Sequence, residues 1–375
     1  MGPITAVAGA SMLDAMIPRA VWQSGLPPEP TPMQHFIWSE ACLAAIYPDA
    51  VAETLTVPGG VAAFVRKGRI PSLYLVGAEE LAEPSEPTYA NAVAADLIAE
   101  NILAKGLPVK LGQPLAGTPF AAAFLTRARR SGLLITRPTE GSPYIELDET
   151  WRDALDRFSS RRRSDFRRMR RRADELGAVT FAFHEPGEED AAALLKQAIE
   201  VEARSWKTRS GTAIADNPDQ AAFFRHYARL AAAEGILRIA FLRIGDDLVA
   251  AQIAVECDKA FWLFKIGYDE RFARCSPGQL LMLESIERAA RKGLLRFELL
   301  GKSAEWTRFW AQNERPRTRL VYYPWNLVGA CALAQDGARL GIKRASAVFR
   351  TVIDRIRGTL GIGKPLIAPT PIIQR

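Results

Sequence analysis

FWLFKIGYDERFARCSPGQLLMLESIERAARKGLLRFELLGKSAEW, from Phe261 to Trp306, is the stretch whose reading decides the fold. It reads as a buried strand, a turn of small residues, a helix and a second apolar strand. Ser276 is the N-cap candidate and Pro277 takes the first helical position, where a missing N–H costs nothing. Backbone amides and the positive end of the helix dipole then face one spot, a ready site for an anion such as the phosphates of a cofactor.

A dinucleotide-binding unit begins in the same way, but two details separate it from this stretch. There is no G-x-G-x-x-G, and an acidic ribose-binding residue would have to follow the next strand. The run GYDERFARCSPGQLL (267–281), followed by GLLRFELLG (293–301), resembles the pyrophosphate loop and helix of the GCN5-related N-acetyltransferase (GNAT) superfamily. The fuller pattern is similar to the CelD-like (BioF-like acetyltransferase domain) branch found beside polysaccharide and envelope-lipid genes. That branch is in turn similar to the Fem peptidyltransferases, which carry two such domains in tandem.

The whole chain bounds these readings. At 375 residues it suits two domains of about 150 residues each. With 48% hydrophobic and 24% charged residues its composition is globular. A net charge of +7 predicts attraction to anions, whether a CoA, an acidic lipid surface or a nucleic acid. Cys42, Cys257, Cys275 and Cys331 form no C-x-x-C pair, and His35, His184 and His226 are scattered, so neither zinc nor a disulfide framework is expected and a histidine-dependent triad is disfavoured. The opening MGPITAVAGASMLDAMIPRA lacks a basic n-region and is interrupted by Asp14, so no signal peptide is expected. No apolar run reaches the roughly 18 residues of a spanning helix, and a cytoplasmic protein, peripheral at most on the inner face of the membrane, is expected.

In chain order, residues 1–32 are rich in Pro and small side chains and are expected to be a flexible lead-in. Residues 33–150 alternate strand-like runs (LTVPGGVAAFVRKG, PSLYLVG, LPVKL, LLITRP) with two helical patterns, an α/β domain without an obvious phosphate loop. Residues 151–177 carry Arg161, Arg162, Arg163, Arg167, Arg168, Arg170, Arg171 and Arg172 around an apolar seam of Phe158, Phe166, Met169 and Leu176. This helix is either a solvated connector or an anion-binding wall. Residues 178–325 then run strand, two helices, three antiparallel strands, helix, strand, short helix, strand, with helix starts at Asn217-Pro218 and hairpin turns at 245–247 and 257–259. That is also the GNAT order. The expected fold class is mixed α/β; the resemblance implies two tandem GNAT-like domains, each with a mostly antiparallel sheet flanked by helices, the first half being degenerate, and a C-terminal amphipathic helix.

The resemblance implies an acyl-CoA co-substrate and direct attack of an amine on its thioester. Such a reaction needs a neutral amine, N–H donors for the tetrahedral oxyanion and a proton for the departing thiolate, and no metal or covalent nucleophile. By resemblance, strand 261–268 receives the pantetheine and thioester carbonyl through Lys265 and Ile266. The loop contributes Arg274, Ser276, Gly278, Gln279 and Leu280, in place of the usual R/Q-x-x-G-x-G/A pattern. Asp269, Glu298 and Glu305 are base candidates and Tyr268 the acid candidate. Asp269 equally suits turn capping, Glu298 a strand rim and Tyr268 packing. Glu202, Trp206 and Lys207 in EARSWK, with Lys302 and Trp306 in LLGKSAEWTRFW, stand where relatives meet the acceptor. A core tryptophan with a snorkelling lysine is the competing reading of the first motif.

Residues 326–375 place Ala345, Val348, Phe349, Val352, Ile353, Ile356 and Leu360 at helical spacing, with Lys343, Arg344, Arg350, Arg355 and Arg357 between them. A basic amphipathic tail suits an anionic membrane surface, and packing on the core explains the stripe as well. The reading as a whole is an acyl-CoA-dependent N-acyltransferase acting on an amino sugar of a polysaccharide or a sphingoid-type amino lipid. The alternatives are a Fem-like aminoacyl-tRNA-dependent ligase and a non-catalytic RNA- or lipid-binding relic of the fold.

Overall fold

The structure is a computed structural model that describes residues 12–205, 211, 213–301, 303–311, 313–339 and 341. Among the described residues, strand-forming runs generate twelve strands: β1 (Val51–Val57), β2 (Gly60–Lys67), β3 (Ser72–Leu75), β4 (Thr88–Tyr89), β5 (Val109–Lys110), β6 (Gly132–Glu146), β7 (Val179–His184), β8 (Leu237–Ile244), β9 (Asp247–Cys257), β10 (Ala260–Tyr268), β11 (Arg296–Glu298) and β12 (Asn313–Pro324). They form one sheet in the order β1-β2-β3-β5-β12-β6-β11-β10-β9-β8-β7, with β4 paired to β2. All pairings are antiparallel except β3 with β5 and β10 with β11. The fold is thus mixed α/β around a large, mostly antiparallel sheet.

Helices α1 (Met12–Met16), α2 (Arg19–Ser24), α3 (Phe36–Ile46), α4 (Ala92–Ala104), α5 (Pro119–Ser131), α6 (Ser160–Asp174), α7 (Glu188–Ala203), α8 (Pro218–Ala233), α9 (Pro277–Arg291) and α10 (Glu305–Trp310) cover its faces. Their starts follow capping chemistry. Asn91, Thr118, Ser159 and Asn217 each accept an N–H from the first turn, and α5, α8 and α9 carry proline at the first helical position.

The two halves anticipated on either side of 151–177 share this sheet rather than owning one each. β12 pairs with β6 from Asn313–Tyr144 to Pro324–Gly132, and with β5, while β6 pairs with β11 on its other edge. Helix α3 is apolar nearly all round and so needs cover on every side. Its Trp38 ring lies 4.8 Å from Phe223 and 5.3 Å from Tyr227 of α8, so it packs with the second half.

Two expectations are corrected here. From Met12 onward the lead-in 1–32 is helical and packed, with Leu13, Ile17 and Trp22 buried in the same core as α8. The tail does not leave the body at once: residues 327–339 are helical, and Asp336 binds Lys110 (2.7 Å) and the Tyr323 hydroxyl (2.8 Å). The amphipathic stripe at 345–360 lies outside the described residues.

Candidate active site

The sheet opens beside β10. This strand pairs with β9 along its length, with a bulge between Leu263 and Lys265, but pairs with β11 only over Ala260–Trp262. β11 stops at Glu298, and the chain turns away through Leu300 (φ 51°) and Gly301 (φ 60°). Beyond Trp262 no strand among the described residues pairs with that edge. On one side of the opening α7 presses against the strand. A Cβ placed on Gly267 would lie 2.6 Å from Glu202 Cα, so only glycine permits the approach.

After β10 the chain makes a short 3-10 turn, Glu270–Cys275, before α9. Asp269 caps it, accepting the Arg271 N–H at 3.0 Å. Ser276, at the junction, sits in the left-handed region (φ 47°, ψ 55°), a conformation that costs a non-glycine residue about 1–2 kcal/mol. Its carbonyl already accepts the Gln279 N–H (2.9 Å) and the Leu280 N–H (3.3 Å). Pro277 has no N–H, so among the described residues Gly278 alone of the first three helical positions presents an unpartnered amide. The expected gathering of free amides is therefore one amide at a helix N-terminus. Basic groups stand behind it: Arg172 of α6 donates to the Arg274 carbonyl at 3.3 Å.

A cleft of about 330 Å³ lies between the open edge of β10 and the start of α9. It is lined by Ser205, Ile266, Gly267, Tyr268, Ala273, Ser276, Gly278, Gln279, Met282 and Trp306. Six of the expected residues meet here: Ile266, Tyr268, Ser276, Gly278, Gln279 and Trp306. The Gln279 side-chain oxygen is buried with no hydrogen-bond partner among the described residues, which leaves an acceptor at the wall of the cleft. Ser205, Gly267, Ala273 and Met282 were not anticipated. Met282 could have been found, since it lies four residues after Gly278 and so on the same helix face.

Other expected residues lie elsewhere. Asp269 is buried, outside the cleft lining, and paired with Arg271 (2.8 Å) and Arg204 (3.2 Å). Burial raises its pKa, but the Arg271 side-chain and backbone hydrogen bonds and Arg204 outweigh that and hold the carboxyl below its usual range. Such a carboxylate is a turn anchor, a poor proton acceptor. Glu298 is buried and ion-paired to Arg315 at 2.7 Å, in a separate cavity. Glu305 is exposed at the start of α10, next to Trp306. Lys265 reaches Gln220 (3.4 Å) and the Phe224 ring, and Leu280 is buried in the core beneath α9. Arg274 is exposed on the 3-10 turn. Glu202 accepts the Ile214 N–H at 2.9 Å, bracing the connection after α7. Trp206, Lys207 and Lys302 lie outside the described residues.

The arginine helix α6 buries Phe166 and Ala173, while Phe158 just before it packs on Phe309 and Trp310. Most of its guanidinium groups remain exposed. Away from the cleft, His35, Cys257 and Asp258 bring three possible metal-ligand atoms within 4.8 Å of one another. Burial first, and then Asp258, push the Cys257 thiol well up, which disfavours the thiolate a metal would need.

No curated protein matches the chain in sequence. A conserved protein of unknown function from Bacteroides thetaiotaomicron is similar in structure over 84% of this chain and 98% of its own, with 9% identity and a TM-score of 0.52. FemX is similar over 76% of this chain and 87% of its own, with 12% identity and a TM-score of 0.51. At such identities these likenesses speak to the fold alone. Residues 160–308, the segment that contains the cleft, match the family described as acetyltransferase (GNAT) domain.

Proposed function

We propose that the cleft beside β10 binds acyl-CoA and that the chain transfers its acyl group to an amine of an envelope molecule, an amino sugar of a polysaccharide or a sphingoid-type amino lipid. One observation carries this reading. The edge of β10 that β11 leaves uncovered after Trp262 leads, through the 3-10 turn Glu270–Cys275, to the α9 N-terminus, where the Gly278 amide has no partner among the described residues. A thioester laid along the strand keeps its diphosphate at the helix start, with Arg172 and Arg274 as nearby cations. The match of residues 160–308 to the GNAT acetyltransferase domain supports the same chemistry.

In the reaction the neutral amine attacks the thioester carbonyl, the C–N bond forms and the C–S bond breaks. The amine loses one proton, and the thiolate takes one. Tyr268 lines the cleft and carries a phenolic proton for that thiolate. Glu305, next in the chain to the cleft-lining Trp306, is the remaining acidic candidate for base, since Asp269 is held by two arginines and Glu298 lies in another cavity.

The basic tail would bring the chain to an anionic membrane surface from the cytoplasmic side; no helix among the described residues is long and apolar enough to cross a membrane. Calorimetry with acyl-CoA, followed by mass spectrometry of products from mixed acyl-CoAs and a panel of amino sugars, sphingoid bases and amino acids, tests the proposal. Failure to bind any acyl-CoA sinks it. A second reading, an aminoacyl-tRNA-dependent ligase, is favoured by the exposed guanidinium groups of α6. It predicts salt-sensitive tRNA retention without CoA binding.

A further inference from the structure

A second cavity, about 170 Å³ in volume, shares no lining residue with the cleft. Its floor is built from four neighbouring strands: Trp262 of β10, Arg296 and Glu298 of β11, Ser142 of β6 and Arg315 of β12. Register brings them together, since Trp262 is the partner of Glu298 and Ser142 the partner of Arg315. Its roof, which includes Thr31, Pro84 and Leu115, comes from the first half of the chain.

Two donors on residues lining this cavity are unused. The Ser142 hydroxyl and the Trp262 indole N–H have no hydrogen-bond partner among the described residues, while the Arg296 Nε stands 3.6 Å from the Glu298 carboxylate. Ser142 is 1% exposed and Trp262 5%. A buried donor without an acceptor costs about 1–3 kcal/mol, so two on residues lining one cavity call for an occupant with acceptor oxygens. The charged groups set its sign. Glu298 is already bound by Arg315 at 2.7 Å, and that guanidinium also stacks 4.0 Å over Tyr144. Arg296 is met at 2.7 Å by Glu29, whose side chain is 68% exposed. An exposed carboxylate on a cation beside unfilled donors occupies the place an incoming oxyanion would take, and solvent can replace it cheaply.

We infer that this inter-half cavity is a binding site for a small oxyanion, a carboxylate or a phosphate monoester, held by Ser142, Trp262 and Arg296, with Glu29 as its displaceable counter-ion. The volume equals that of roughly five or six water molecules at about 30 Å³ each, enough for an anionic head group and a few carbons and too little for a nucleotide.

Calorimetric titration of the full chain with methyl phosphate and, separately, with acetate tests the site and separates its two ligand classes. The expected result is saturable one-to-one binding of at least one probe. Ser142→Ala and Trp262→Phe should each weaken it roughly tenfold, the effect of one lost hydrogen bond to a charged group. Glu29→Gln, an exposed change that leaves folding intact, should tighten it several-fold. Acyl-CoA affinity should stay unchanged in Ser142→Ala and Glu29→Gln, neither of which lies on β10, so the outcome is independent of the cleft. Absence of saturable binding by both probes overturns the inference, and so does binding indifferent to Glu29→Gln.

Discussion

Gly267 of β10 lies against Glu202 of α7 so closely that a single added methyl would meet the Glu202 backbone at 2.6 Å. This contact fixes one wall of the cleft. Gly267→Ala should therefore destabilise the protein by about 1–3 kcal/mol, as overpacking does, and displace α7 from the strand. Urea denaturation measures it, and an unchanged midpoint would mean that the two elements are not in contact.

Gly278 behaves differently. Its Cβ would sit 3.4 Å from Tyr268 Cδ1, ordinary contact distance, so a larger side chain folds but projects towards the cleft. Gly278→Leu should lower acyl-CoA affinity at least about tenfold, equivalent to ~1.4 kcal/mol, while the thermal midpoint stays put. Unaltered affinity would remove the helix start from the donor site.

Asp269 should report through stability. Its folded pKa is depressed, so its contribution is present above the unfolded pKa and is lost as pH falls through the folded value. Asp269→Asn should remove that acid-side loss from the unfolding profile, yet leave the pH–rate profile above neutrality in place. A vanished alkaline-side activity would restore the residue as a base.

Glu86 has the opposite sign. Burial pushes its carboxyl up to about 7, against the hydrogen bonds from Thr118 (2.6 Å) and Tyr89 (2.8 Å). The stability tied to its proton is complete below the unfolded pKa and lost as pH rises through about 7, a change on the order of 3 kcal/mol. Glu86→Gln should flatten the profile between pH 5 and 8. Unfolding curves collected across that range would settle the matter, an unaltered slope counting against it.

Arg317 is 2% exposed and donates to the carbonyls of Gly301 (2.8 Å), Gln113 (3.4 Å) and Ala82, tying β12 to both halves. Arg317→Met strands those carbonyls and removes one of the two cations facing buried Glu83, Lys265 being the other, so a loss of about 3–5 kcal/mol is expected. Chemical denaturation measures it, and a loss below ~1 kcal/mol would show the arginine to be replaceable.

What could be read from the sequence was what neighbours in the chain decide. The β8–β9–β10 meander, its turns at 245–247 and 257–259, the Asn217-Pro218 start of α8 and the α9 start all depend on local turn and cap chemistry, and the structure has them. The run LLRFELLG looked like a full strand, yet β11 spans only Arg296–Glu298, because the chain must leave the sheet for the opening to exist. The exchange of β6 and β12 between halves left no local trace, since each strand's partner is far away in sequence. Packing of Trp22 and Trp38 was hidden for the same reason: the surface that covers them is contributed by α8 and its neighbours. At the site, residues bound to the turn and strand were legible. The employment of Asp269 and Glu298 was not, because Arg204 and Arg315 reach them only in the folded chain.

The position of β12 has a consequence for biogenesis. When residue 146 has left the ribosome, β5 and β6 are both made but the slot between them is empty, and its filler is still more than one hundred and sixty residues from synthesis. A nascent chain in that condition displays two bare strand edges, an invitation to mispairing. Closure of the sheet is thereby deferred until β12 emerges, so slow folding limited by this long-range pairing is the kinetic signature of the topology.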